Sequence, residues 1–249
     1  MSRKLVFISH ITEESELAII ISDSIKKCYL NMLDTFVSSD SDSIPSGDRW
    51  VEKISLALES SVIQLVLCSH QSINRPWINF EAGAAWIRKI PVIPICHSGL
   101  SKDDLPIPLA LLQSCDINKE NDLKKAFGAL TNALECDSPN IDYNDIITRS
   151  NNFSDNYMYY SKIKFAFDGL QRLYPGFVDA FKSGAKHIRL QIADYRKTET
   201  MSYIELLIDM GFLAVTWSGM AVDASGTVSD LEIDILPKLS NEDPAKIFP

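Results

Sequence analysis

No apolar run in the chain approaches the ~20 residues needed to cross a bilayer, so no membrane-spanning segment is expected. Positive charge is short as well: 24 Lys and Arg stand against 33 Asp and Glu, a formal net charge of −9. Such a surface repels phosphate backbones and argues against a general nucleic-acid binder. The five cysteines are scattered with no C-x-x-C pair, which suits buried thiols in a reducing cytoplasm better than a zinc site or a disulfide frame. The glycine-rich phosphate loops of dinucleotide-binding and P-loop proteins are missing, as is the G-x-S-x-G elbow of serine hydrolases. Met1-Ser-Arg-Lys and the short Leu-Val-Phe-Ile-Ser that follows read as a first strand, not a secretory signal. A cytoplasmic location is therefore expected.

What is present is the composition of a globular protein, 46% apolar and 23% charged, in a chain long enough for one large or two ordinary domains. Strand and helix signals alternate through the first half. Leu5–Ile8, Thr35–Val37, Val62–Cys68, Pro91–Cys96 and Ser114–Ile117 read as strands. Between them, helical stripes run from Glu13 to Tyr29, Arg49 to Glu59 and Pro76 to about Lys89, and a last one from Lys119 to about Glu135. Val62–Cys68 is nearly all apolar, as a central parallel strand should be. This alternation predicts an α/β fold with a five-stranded parallel sheet and helices on both faces. Ligands of such sheets bind at the carboxyl ends of the strands. Ser9-His10, Ser69-His70 and Cys96-His97-Ser98 sit there and are candidates for the rim of a site.

The polar, turn-rich stretch 137–154 reads as a linker. Beyond it, helices are expected over Tyr157–Leu173, Gly176–Lys182, Ile188–Arg196 and Met201–Met210. Phe212–Trp217 and Leu231–Ile235 read as two strands flanking a small-residue loop from Gly219 to Ser229. Helices followed by a two-stranded ribbon suggest a smaller, mainly α, winged-helix-like domain over 155–249. Lys182, Lys186, Arg189, Arg196 and Lys197 form a modest basic cluster there, the usual state of a solvated helix face. Tyr157, Tyr159, Tyr160, Phe165 and Phe167 supply either an apolar docking surface or that domain's own core.

Phe7-Ile-Ser-His10, Gly47-Asp-Arg-Trp50, Pro76-Trp-Ile-Asn-Phe-Glu-Ala-Gly-Ala-Ala-Trp86 and Pro91-Val-Ile-Pro-Ile-Cys-His-Ser-Gly99 follow one another in an order that resembles the Toll/interleukin-1 receptor (TIR) family, in the style of its bacterial enzymatic members. The resemblance places a TIR domain at 1–136 and implies a flavodoxin-like fold, with Ser38 to Asp48 as the mobile loop after the second strand. In the enzymatic members the glutamate of W-x-x-x-E is the essential carboxylate for breaking the nicotinamide–ribose bond of NAD⁺. Position by position, that glutamate is Glu81 and the tryptophan is Trp77. Ser9 and His10, with Ser39, Asp48 and Trp50, are the implied substrate contacts. NAD⁺ is then substrate, with no separate cofactor and no metal. The resemblance also implies self-association through TIR domains and a role in antiphage defence. A partner protein or activating ligand would act through the carboxy-terminal domain.

The chemistry asks for little. Ordinary glycoside hydrolysis uses two carboxylates, one of them to protonate the leaving oxygen. Nicotinamide in NAD⁺ is already cationic and departs neutral, so one carboxylate that stabilises the oxocarbenium-like transition state suffices. Trp77 and Glu81 stand one helical turn apart on one face, and Ala82, Gly83, Ala84 and Ala85 would let their helix lie close on the sheet. Plainer readings stand beside these. Glu81 could be an acid favoured by a helix dipole. Trp50 and Trp77 could be core aromatics. Asp40, Asp42 and Asp48 lack calcium-loop spacing and suit a solvated loop. A non-enzymatic TIR interaction module and a synthase of a cyclic ADP-ribose-type signal are the alternative functions.

Overall fold

Five parallel strands, β1 (Lys4–His10), β2 (Leu33–Ser39), β3 (Ser61–Cys68), β4 (Val92–Cys96) and β5 (Cys115–Asp116), build one sheet in the order β2-β1-β3-β4-β5. This is the flavodoxin-like order, with its switch point between β1 and β3. The computed structural model describes residues 3–39, 49–223, 226–242 and 247. Of the predicted loop after the second strand, 40–48 lies outside the described residues, Asp48 included.

Side-chain alternation along the central strands assigns their two faces. Val6 and Ile8 of β1 and Ile63, Leu65 and Leu67 of β3 join the core beneath helices α1 (Ser15–Cys28) and α4 (Glu120–Leu134). Phe7 faces the other way, onto Ile54, Ala57 and Leu58 of α2 (Arg49–Ser60). Val66 and Cys68 meet Ile78, Ala82 and Ala85 of α3 (Pro76–Ile87). Pro76 opens α3 at a position where its missing N–H costs nothing. Ala82 and Ala85 are the small residues that bring α3 close. Gly83 has no such duty, since a Cβ built on it would meet nothing within 4 Å.

The expected linker is corrected. From Tyr143 the chain is a single helix, α5 (Tyr143–Leu173), with Ile146, Ser150 and Phe153 buried at helical spacing. Ile146 and Phe153 belong to the same core as α1 and α4. Two compact units result, with the boundary between Tyr157 and Met158, inside α5.

The second unit carries helix α6 (Phe177–Lys182), strand β6 (His187–Ala193), helix α7 (Asp194–Asp209) and strands β7 (Leu213–Asp223) and β8 (Gly226–Ile235). A short helix α8 (Pro237–Ser240) follows. Its sheet is antiparallel with three strands in the order β6-β8-β7, where a two-stranded ribbon was expected. The segment expected as a helix from Ile188 is β6. Leu190 and Ile192 point into the core while His187, Arg189 and Gln191 face solvent, an alternation that only a strand satisfies. The presumed loop from Gly219 is strand as well, except for 224 and 225, which lie outside the described residues. A single helix separates β6 from β7, so this segment holds no helix-turn-helix pair.

Three of the five residues of the basic cluster have partners within the unit. Arg189 pairs with Asp230 at 2.8 Å and with Glu232 at 3.5 Å, Arg196 donates to the carbonyl of Leu173, and Lys197 lies over the Trp217 ring. The aromatic set divides. Phe167 is core of the second unit, Tyr159 and Tyr160 pack against that core, Tyr157 belongs to the first unit, and Phe165 is exposed.

Gly169 of α5 marks a tight contact within this core. A Cβ there would lie 2.4–2.6 Å from three ring atoms of Tyr203, whose hydroxyl accepts a hydrogen bond from Arg172. Helix propensity alone would make Gly169→Ala stabilising by about 1 kcal/mol. Forcing a buried ring aside costs about 1–3 kcal/mol and wins. A lower urea midpoint is the expected result, and a higher one would show that Tyr203 does not hold this position.

Candidate active site

Two acids are fully buried at the carboxyl edge of the parallel sheet, and each gathers a different set of partners. Glu81, on α3, has no solvent exposure. Its Oε1 accepts from Trp77 Nε1 at 2.8 Å, one turn back on the same helix. Its Oε2 accepts from the hydroxyl of Ser9, near the end of β1. Ser9 shares the Phe7 face of that strand, which turns its hydroxyl toward α3. A buried carboxyl group is costly unless hydrogen-bonded, and Trp77 and Ser9 both donate to this one. Trp77 is half-buried, packs beside the Phe7–Ile54 cluster and stacks on Phe80 at 5.1 Å.

His10 follows Ser9 and is 2% exposed, and its Nδ1 has no partner among the described residues. Burial lowers its pKa to about 4, against smaller opposing effects of Glu14 and a hydrogen bond to the Ile8 backbone. The imidazole is therefore neutral at pH 7, able to meet a ligand by hydrogen bonding but not by charge. In the unfolded chain its pKa returns to the ordinary 6.5, so between 6.5 and about 4 the unfolded state binds a proton that the native state refuses. The corresponding stability is complete above 6.5 and drains away as pH falls toward 4, by on the order of 3 kcal/mol. Urea unfolding of His10→Gln beside the wild type checks this. The variant should lose less stability between pH 7 and pH 4.5, and an identical slope would remove His10 as the cause.

Two of the remaining implied contacts are placed by their backbones alone. Ser39 is the register partner of His10 across β1 and β2, and Trp50 lies in α2, but both side chains are outside the described residues. His70 is exposed, its carbonyl accepting from Asn74.

Glu14, which the sequence reading passed over, is the second buried acid. Its Oε2 accepts from the Ile11 amide at 3.2 Å, and its Oε1 lies 2.6 Å from Ser69 Oγ and 3.1 Å from His97 Nε2. His97 Nδ1 meets Ser98 Oγ at 2.9 Å. Carboxylate, imidazole and hydroxyl thus form a chain of the kind found in hydrolytic triads. Ser98, however, is buried and donates onward to Ser154, and His97 is flanked by the rings of Phe153 and Tyr157. A nucleophile enclosed in this way has no approach for an acyl substrate. The chain is structural.

The buried thiols offer no nucleophile either. Cys68, Cys96 and Cys115 are buried, and burial pushes Cys96 and Cys115 up to about 12. Among the described residues no three His, Cys, Asp or Glu side chains are grouped to hold a metal ion, and no helix is long and apolar enough to cross a membrane.

A family model for the TIR domain matches residues 6–131, just over half of the chain. No curated protein matches it. Among solved structures, the TIR domains of the activated Roq1 resistosome directly recognising the pathogen effector XopQ match at 14% identity. That match covers 63% of this chain and 84% of the other, with a TM-score of 0.31. The matched span takes in all but the first residues of the parallel sheet together with Ser9, Trp77 and Glu81, and the chain belongs to the TIR family.

Proposed function

We propose that the chain is an NAD⁺ glycohydrolase in which Glu81 is the catalytic carboxylate. The observation that carries this reading is the placement of one fully buried acid, held by Ser9 and Trp77, beside the β1–β3 switch point where ligands of such sheets bind. The bond between ribose C1′ and the nicotinamide nitrogen breaks with its electron pair passing to nicotinamide, which leaves neutral. Water then adds at C1′ and releases a proton, giving ADP-ribose. If a ring nitrogen of the adenine adds instead, the product is a cyclic isomer. Glu81 contributes a negative charge, fixed in a site of low dielectric, to a transition state in which positive charge moves onto the ribose. As the sugar enters, a ribose hydroxyl takes the place of one of the donors to Glu81. Nicotinamide release from NAD⁺ by the purified chain, followed as protein concentration rises, is the test. Turnover that Glu81→Gln leaves unchanged would sink the reading.

In this reading the activity serves antiphage defence in a bacterial cytoplasm and is switched on by assembly. The second unit then acts as the docking module for a partner or an activating ligand. Its pairing of Arg189 with Asp230 and Glu232 supports a protein or small-molecule partner over nucleic acid. One observation favours a second reading, a TIR–TIR interaction module without catalysis. Phe80, Trp86 and Ile87 of α3 are exposed by 59%, 64% and 78%, an apolar surface on the helix that carries Glu81. That reading predicts self-association with no loss of NAD⁺.

A further inference from the structure

Tyr157 lies in α5, outside the span 6–131 that the TIR family model covers. Its hydroxyl is 2.9 Å from Ser69 Oγ, which is itself 2.6 Å from Glu14 Oε1. A serine hydroxyl donates one proton, and the carboxylate is the stronger acceptor. Ser69 therefore donates to Glu14 and Tyr157 donates to Ser69. Burial raises the phenol above its ordinary range, so it remains a donor throughout the neutral range.

Ser69 and Glu14 each lead from this chain of bonds toward Glu81. Ser69 begins the turn that enters α3. Its amide donates to Ser72 Oγ at 2.8 Å, its carbonyl accepts from Ile73 at 3.2 Å, and the Ser72 carbonyl accepts from Arg75 at 3.0 Å. Arg75 is the N-cap of α3, two residues before Trp77. On the other side, Glu14 holds the amide of Ile11, two residues after Ser9. One carboxylate thus ties the chain beside Ser9 to the turn before Trp77, and Ser9 and Trp77 both donate to Glu81.

We propose that Tyr157 is a positioning residue for Glu81: through Ser69 and Glu14 it fixes the end of β1 against the turn before α3, and so aims the carboxylate. Its catalytic half rests on the reading of Glu81 given above. The brace comes from a helix that the family span does not include, so the site-bearing unit is complete only with the first half of α5.

Tyr157→Phe in the full chain isolates the hydroxyl, because the ring contacts with Phe153 at 5.3 Å and His97 at 5.7 Å need no oxygen. Amide hydrogen exchange over 69–75 should rise about five-fold, the opening expected from one lost hydrogen bond, while β3 stays protected. In NAD⁺ cleavage, kcat should fall about ten-fold with KM within about two-fold, because aim is lost and binding is not. Unchanged exchange over 69–75 overturns the brace, and raised exchange with unchanged kcat overturns its role in aiming Glu81. A wild type that releases no nicotinamide removes the catalytic half and counts against the reading of Glu81, while exchange alone then decides the brace.

Discussion

Glu81→Gln should lower nicotinamide release by about 10³-fold or more while leaving the fold intact. Glutamine keeps the shape of the side chain and one of its acceptors. The Trp77 indole can only donate, so the amide oxygen must face it. That leaves the amide N–H groups toward Ser9, whose hydroxyl turns and accepts. Glutamine thus keeps hydrogen bonds to both Trp77 and Ser9, and a neutral side chain avoids the cost of burying a charge. What disappears is the charge. A single neutral donor aimed at a transition-state charge is worth about 10²–10³ in rate, and a full carboxylate in a dry site is worth at least as much. Chromatographic assay of nicotinamide and a thermal melt, run side by side, read the two expectations separately. A variant that is inactive because it has unfolded would defeat the interpretation, and so would one that turns over like the wild type.

The parts of this architecture that could be read from sequence are those where apolar periodicity is uninterrupted. Val62–Cys68 and Pro91–Cys96 are apolar on both faces because helices cover both, and the strands appear there within a residue or two. The first half of α5 escaped notice because its buried stripe is partly hydroxylic: Ser150 and Ser154 are as buried as Ile146 and Phe153. With Asn151 and Asn152 between them, the segment has a loop's composition and a helix's contacts. Strand β6 was misread although Ile188, Leu190 and Ile192 alternate, because a short run of that kind next to good helix formers fits either period. At the site, the Trp77–Glu81 pair is local, one turn of helix, and was therefore visible. Glu14 was not, because an acid at the start of a helix already has a local explanation in the dipole. Its partners Ser69 and His97 stand 55 and 83 residues away in sequence. The fold that brings them together has to be known first.

A chain ended after Cys136, where the sequence alone would close the TIR domain, should fail to fold cooperatively, and one ended after Ser161 should not. The difference is the first half of α5. Ile146 and Phe153 are each less than 5% exposed in the core shared with α1 and α4, and Tyr143, Ile147 and Tyr157 pack at its margin. Burying a large apolar side chain is worth about 1.5–3 kcal/mol, so this set together supplies on the order of 5–10 kcal/mol. A whole domain is stable by only about 5–15 kcal/mol. Removal also takes the Tyr143 ring from Phe127 of α4 and the Tyr157 hydroxyl from Ser69, leaving the Glu14 cluster open to water. The shorter chain should bind a hydrophobic dye and melt without a sharp transition, and the longer one should melt sharply. A sharp melt of the shorter chain would mean that α5 is an accessory to the TIR unit. It would then have no part in the core on which Glu81 depends.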